Sequence, residues 1–328
     1  MTAGLCCVVS CCVHMDCTHG RNGAFDSQFG SFTPTGACVA ASMRISPHQV
    51  AAAATAVLVA ALLIGRRRRL IHRRIAYLNT EDAEKWEDQC SIFSKSMGIP
   101  LDAFVKFDCF KGEFPRPENL RGGHFSGVLI TGSHFSAKDL TLPWLPALFD
   151  CIRLCSTLPN VTVLGCCFGC QACAVALGGD VANNPDGSFV FGPETIAIED
   201  PEALLRVIGG RSGTGTSLSV PRSVSLLQSH GEQVLRLPPG AQRVASSSSC
   251  TNEIFIAGSF GNVVGVQAHP EFDVPLVRTR IEPALVAKGR LNTAQLDELS
   301  VHGMRDCSVH SRLLCKMYRL FLSGSRDL

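Results

Sequence analysis

Gly165-Cys166-Cys167-Phe168-Gly169-Cys170-Gln171 is the stretch on which the reading of this chain turns. It follows an apolar run, Val161 to Leu164, with the look of a short buried strand, and it leads into Ala172 to Leu177, which reads as helix. A side chain placed where a strand hands over to a helix stands out at the end of a sheet. The flanking glycines permit the sharp turn. The helix behind it aims free N–H groups and the positive end of its dipole at the thiol, which favours thiolate. Far downstream, Gln267-Ala268-His269-Pro270-Glu271 closes another apolar run, with a histidine and a carboxylate two positions apart. Cys167, His269 and Glu271 thus supply a nucleophile, a base and an orienting acid.

The segments before the nucleophile alternate between strand and helix patterns. Ile75 to Leu78, Phe104 to Phe107 and Gly127 to Ile130 read as strands. Glu81 to Met97 reads as a helix with Asn79 or Thr80 as its cap. A second helix begins near Pro143 to Pro146, with Leu145, Leu148, Phe149 and Ile152 at helical spacing. Such alternation predicts an α/β fold, a doubly wound, mostly parallel sheet flanked by helices, with its active site at the carboxyl ends of the strands. After Gly179 the pattern changes to short strands, Thr195 to Ile198, Ser223 to Leu227, Glu253 to Ala257 and Val263 to Gln267, and Gly209 to Ser219 reads as a surface loop. Asn292-Thr293 can cap a later helix. Ser308 to Ser323 carries Leu313, Leu314, Met317, Leu320 and Phe321 on one face, the packing stripe of a terminal helix.

The paired motifs resemble those of the class I glutamine amidotransferase superfamily, whose nucleophile segment reads G-x-C-x-G-x-Q and whose base segment reads H-P-E. A third segment, Val128-Leu129-Ile130-Thr131-Gly132-Ser133, sits where that superfamily has a strand ending in an oxyanion glycine. The resemblance covers residues 74 to 328. It implies a flavodoxin-like fold, an oxyanion hole made by the N–H groups of Gly132 and Phe168, and substrate contacts from Gln171, Ser229 and His230. Within the superfamily the chain is most similar to stand-alone members such as γ-glutamyl peptidases. That likeness implies a cysteine-dependent hydrolase of γ-glutamyl amide bonds, in γ-glutamyl peptides, glutathione conjugates or glutamine, working through a thioester on Cys167. The alternatives are a glutaminase that delivers ammonia to a separate synthase partner, and a membrane-tethered member without activity. The sequence has no P-loop and no ATP-binding glycine motif. Two residues depart from the superfamily pattern, Cys166 before the nucleophile and Cys170 after the second glycine. Cys167 and Cys170 form a C-x-x-C, yet a redox pair leaves His-Pro-Glu unexplained.

Composition bounds these readings. The chain has 328 residues, 46% of them hydrophobic, room for one sizeable domain and an appendage. Lys and Arg number 30 against 28 Asp and Glu, but six of the arginines lie at 66–69, 73 and 74, so the remainder leans acidic. Nucleic acid is not an expected partner. Seventeen cysteines in a chain this long point to free thiols in a reducing compartment rather than a disulfide scaffold.

Residues 1–73 read as an N-terminal targeting or anchor extension, and 74–328 as the catalytic domain. The extension carries one apolar helix, 50–65, followed at once by Arg66 to Arg69. This is the pattern of a short transmembrane signal-anchor with its arginines on the cytoplasmic side, which implies a membrane tether and a cytosolic catalytic domain. Organelle targeting is the alternative. Cys6, Cys7, Cys11, Cys12, Cys17 and Cys38, with His14 and His19, match no zinc spacing, so no metal is expected, and no cofactor is called for.

Overall fold

The strand that opens the fold, β1 (Arg74–Asn79), alternates its side chains between two cores. Ile75 and Tyr77 enter one hydrophobic cluster and Ala76 and Leu78 the other. That is what a period of two dictates for a strand covered on both faces. The computed structural model describes residues 74–207, 219–291 and 301–323, with side chains in the last stretch from Cys307 onward. Beside β1 lie β2 (Phe104–Asp108), β3 (Phe125–Ile130), β4 (Thr162–Cys166) and, later in the chain, β11 (Val263–Val266). The sheet order is β2-β1-β3-β4-β11, continued by β10 (Ile254–Ala257), β9 (Gln242–Ser246), β6 (Val190–Ile198) and β7 (Ser223–His230). A separate ribbon pairs β5 (Asp180–Asn183) with β8 (Glu232–Arg236).

Among the described residues, four longer helices cover the sheet. One face holds α1 (Gln89–Met97), through Phe93 and Met97, and α4 (Val301–Ser323), through Leu314, Met317, Tyr318 and Phe321. The other holds α2 (Leu145–Ser156) and α3 (Phe168–Ala176). The end of α4 is tied down by the strands beneath it. Ser126 Oγ donates to the Leu322 carbonyl at 2.9 Å and Thr162 Oγ1 to that of Phe321 at 3.0 Å, satisfying carbonyls that a helix end leaves open.

The doubly wound arrangement is as expected, but the sheet is mixed rather than mostly parallel. Pairings from β2 through β11 are parallel, and those of β11 with β10, β10 with β9, β9 with β6 and β6 with β7 are antiparallel. Parallel neighbours need a crossover of a dozen or so residues, which the short links after β9 do not offer. The expected helix over Glu81–Met97 begins late. A 3-10 turn takes Glu84–Trp86 and α1 starts at Gln89. Neither Asn79 nor Thr80 caps it, because Asn79 Nδ2 donates to Asp108 Oδ1 at 2.7 Å and Thr80 is engaged with Thr131.

The expected transmembrane helix and membrane tether are corrected. Residues 50–65 lie outside the described residues, and among the described residues no helix is long and apolar enough to cross a membrane. Even α4, at 23 residues, carries Arg305, Asp306, Arg312, Lys316 and Arg319, so its apolar residues form a stripe and not a sleeve. The membrane-anchored localisation falls with the tether. The Asn292-Thr293 cap and all but the last residue of the Gly209–Ser219 loop also lie outside the described residues.

Candidate active site

Three adjacent parallel strands, β3, β4 and β11, run in register, with Ile130 opposite Gly165 and Val266 opposite Cys166. Whatever follows each of them therefore emerges at the same edge. After β3 comes Gly132, after β4 comes Cys167, and after β11 come Gln267 and His269. Residues far apart in sequence are brought together by strand direction alone.

Cys167 has φ 50° and ψ −107°, and it is the one non-glycine residue with positive φ among the described residues. Its N–H donates to the Val266 carbonyl at 2.8 Å, and its carbonyl accepts from Gln171 N at 3.1 Å, opening α3. The flanking glycines serve a different end from the one expected. Neither has positive φ. A Cβ on Gly165 would lie 2.3 Å from the Gly169 carbonyl oxygen, and one on Gly169 would lie 2.4 Å from that of Ile130. They let the start of α3 press against β3 and β4, while the cysteine itself adopts the strained turn.

His269 and Glu271 meet as expected, with Nδ1 2.8 Å from Glu271 Oε1, both side chains buried. The imidazole stacks on Phe272, centroids 4.0 Å apart and planes 5° from parallel. The His269 backbone N–H donates to the Leu227 carbonyl at 2.8 Å, which joins the turn to β7. With Nδ1 held by the carboxylate, Nε2 is left for the sulfur. Burial alone would push the imidazolium pKa down, but the Glu271 carboxylate and the nearby Cys167 sulfur outweigh it and raise it to about 10. A base with this proton affinity is well suited to take a thiol proton.

Of the remaining expected residues, Gly132, Gln171, Ser229 and His230 line a cavity of about 710 Å³ together with Cys167 and His269. A Cβ on Gly132 would stand 3.1 Å from His269 Cε1 and 3.6 Å from Cys167 Cβ, so the backbone here runs close beside both side chains. Phe168 begins α3, where first-turn N–H groups lack helical partners. Its ring is buried against Trp144, centroids 5.9 Å apart. Gln171 is buried and gives its amide nitrogen to the Glu232 carbonyl at 2.8 Å and to Gln267 Oε1 at 3.2 Å. The Ser229 carbonyl lies 3.9 Å from Cys167 Sγ. Neither ring nitrogen of the buried His230 has a hydrogen-bond partner among the described residues. Burial, with the charge of His269 adding to it, pushes the His230 pKa down to about 4.

Sequence reasoning missed Gln267 as a site residue. Its amide nitrogen lies 3.7 Å from Cys167 Sγ, in a chain that runs from Gln171 through Gln267 to the thiol. A fully buried glutamine at the end of an apolar strand, two positions from the base and on its face, was the available signal. Also missed was the wall on the His269 side, where Trp86 stacks on Phe272 at 5.8 Å and Ile281, Leu285, Lys288 and Arg290 close the cavity.

Two other chemistries find no support here. Cys170 is fully buried, and burial pushes its pKa well up, so it serves the core and not a redox exchange with Cys167. Glu81, Asp82 and His134 could offer clustered ligand atoms, but both Glu81 oxygens are already engaged, Oε1 by Ala83 N and His134 Nδ1 and Oε2 by His134 N.

Comparison with known proteins agrees with this geometry. The model of the glutamine amidotransferase class-I family matches residues 105–281. Gamma-glutamyl peptidase 3 of Arabidopsis thaliana is 27% identical over 222 residues, covering 64% of this chain and 83% of the peptidase. The glutamine-hydrolyzing GMP synthase of Albidiferax ferrireducens is 33% identical over 156 residues, 46% of this chain but 26% of the synthase. A crystal structure of a glutamine amidotransferase from Thermotoga maritima superposes with a TM-score of 0.56 at 23% identity, covering 76% of this chain and 98% of its own, a likeness of fold. With the family's model matching more than half of the chain, and a cysteine, a histidine and a glutamate gathered where three parallel strands end, this chain belongs to the class-I glutamine amidotransferase family.

Proposed function

We propose that this protein cleaves the γ-amide bond of a glutamine-like substrate through a γ-glutamyl thioester on Cys167. The observation that carries the reading is the Cys167 sulfur at a strained turn, sharing a cavity with a His269 imidazole that Glu271 holds at 2.8 Å. Cys167 Sγ attacks the carbonyl carbon as His269 takes the thiol proton. The carbonyl oxygen becomes an oxyanion that the N–H groups of Gly132 and Phe168 receive, each worth about 3 kcal/mol in sites of this kind. The C–N bond then breaks and the leaving amine departs with the proton from His269. Water attacks the thioester, gives a proton to His269, and the proton returns to sulfur as the acid leaves. Glu271 keeps the imidazole oriented and stabilises its charge throughout. Gln171, with its amide nitrogen committed, offers Oε1 to the glutamyl group beside Ser229 and His230.

The identity of the leaving amine divides this proposal in two. The family match and the likeness to a glutamine-hydrolyzing synthase favour ammonia, released for a separate synthase to use. A larger leaving group, as in a γ-glutamyl peptidase, is favoured by the cavity. The amine must face His269, and there the cavity continues along Trp86 and Phe272 to Lys85, Lys288 and Arg290, far more wall than ammonia needs. We further propose that residues 74–328 form the whole catalytic unit, since every proposed site residue lies within them. Measuring kcat/KM for L-glutamine and γ-glutamylglycine side by side, with and without cell extract, tests the first division. A dominant glutamine value that rises with extract supports the amidotransferase, and a dominant peptide value indifferent to extract supports the peptidase.

A further inference from the structure

The segment that carries Gly132 belongs to no helix or strand, yet its N–H must hold a fixed aim. Besides the Thr131 N–H, which donates to the Leu78 carbonyl at 3.3 Å, and the Gly169 N–H, which donates to the Thr131 carbonyl at 3.1 Å, it is held by the two residues that follow β1. Thr80 N donates to Thr131 Oγ1 at 3.1 Å, Thr80 Oγ1 to the Thr131 carbonyl at 3.1 Å, and Ser133 Oγ to the Thr80 carbonyl at 2.7 Å. Glu81 completes the set. Its carboxylate, 6% exposed for the whole residue, accepts from the His134 backbone N–H at 2.9 Å and lies 2.7 Å from His134 Nδ1, while Ala83 N, at 2.9 Å, fixes it from behind. A buried carboxylate needs such donors, and hydrogen bonds to a charged acceptor are short and directional. With both Glu81 oxygens already engaged, the cluster reads as a clamp.

We propose that Glu81 is a positioning residue for the oxyanion hole: by holding the His134 backbone it fixes the Gly132 turn so that the Gly132 N–H meets the developing oxyanion. This rests on the proposed role of Gly132 and Cys167. Gly132 lies directly between the clamp and the chemistry, with its Cα side against His269 Cε1 and Cys167 Cβ. Glu81 therefore acts on the transition state without touching the thiol or the imidazole. A group that places a donor, and does nothing to the nucleophile, should leave simple alkylation of the thiol unchanged while slowing acyl transfer, because only the latter makes an oxyanion.

The test uses full-length protein with γ-glutamylglycine or L-glutamine, whichever the wild type turns over faster, and iodoacetamide as a probe of Cys167. Glu81→Gln, which puts an amide N–H among donors, is expected to lower kcat by about tenfold or more with KM within about twofold. The rate of Cys167 alkylation should stay at the wild-type value. Glu81→Asp, which keeps the charge but withdraws it by one methylene, should show the same split should the glutamine variant not fold. His134→Ala leaves the backbone N–H in place and should keep kcat within about threefold of wild type. An unchanged kcat in both Glu81 variants, or alkylation falling in parallel with kcat, would overturn the proposal. So would a His134→Ala variant as slow as Glu81→Gln, since the imidazole would then be the operative group. Turnover surviving Cys167→Ala would overturn the reading of the site itself, and the clamp's role with it.

Discussion

Cys167 is the one non-glycine residue in the described chain with a positive φ, 50°. Strain of this kind costs about 1–3 kcal/mol and is tolerated where surrounding contacts over-determine it. Both Cys167→Ala and Cys167→Gly are expected to be inactive. The glycine variant should nevertheless be the more stable of the two by about 1 kcal/mol, because only glycine adopts this φ freely. Equal melting temperatures would place the strain elsewhere. His269 permits a second prediction. Its folded pKa, about 10, lies above the ordinary histidine value of about 6.5. The stability its charge contributes is therefore complete below that ordinary value and is lost as pH rises through about 10. In thermal melts, wild type should exceed His269→Gln by most near pH 6, with the gap closing by pH 10, and a gap that widens with pH would contradict the assignment. The trio proposed to act in catalysis, Cys167, His269 and Glu271, was legible in the sequence because each member sits in a short local motif. The roles of Gln267 and Glu81 were not, since each acts on residues brought close only by strand pairing, Cys167 for Gln267 and His134 for Glu81.

At the scale of elements, α4 does more than cover the sheet. Cys315 Sγ donates to the Pro270 carbonyl at 3.3 Å, so the helix touches the turn between His269 and Glu271. Its packing face was readable from spacing, and Leu314, Met317 and Phe321 are buried as that spacing requires. Leu314→Ala should cost about 2–5 kcal/mol of stability, measured by denaturant unfolding. Tyr318, on the same face, is fully buried with a hydroxyl that has no partner among the described residues. Tyr318→Phe should therefore stabilise by about 1 kcal/mol, and a loss of stability would reveal a partner for that hydroxyl. Not every element could be read this way. β9 begins with the exposed Gln242 and Arg243, and β5 and β8 form a short ribbon apart from the main sheet, so hydrophobic alternation was weak in all three. The early part of the expected Glu81–Met97 helix was misread because helical propensity carries no record of the contacts that Thr80 and Glu81 make across the sheet.

At the scale of the whole molecule, a parallel half supplies the catalytic edge, and an antiparallel half supplies β7, whose last residues, Ser229 and His230, line the same cavity. The change of strand pattern after Gly179 announced that second half, but the direction of its strands followed only from their pairing. If residues 74–328 are the complete catalytic unit, that fragment should match full-length protein in kcat/KM within about twofold. A fragment that folds by circular dichroism yet is inactive would contradict the boundary. The central claim is that the acyl group passes through Cys167, and intact-protein and peptide mass spectrometry after rapid acid quenching addresses it most directly. With γ-glutamylglycine or L-glutamine, the account predicts a glutamyl adduct on the peptide that contains Cys167, absent from Cys167→Ala and discharged on adding hydroxylamine. Turnover with no adduct, or an adduct on any other cysteine while Cys167→Ala stays active, would contradict it.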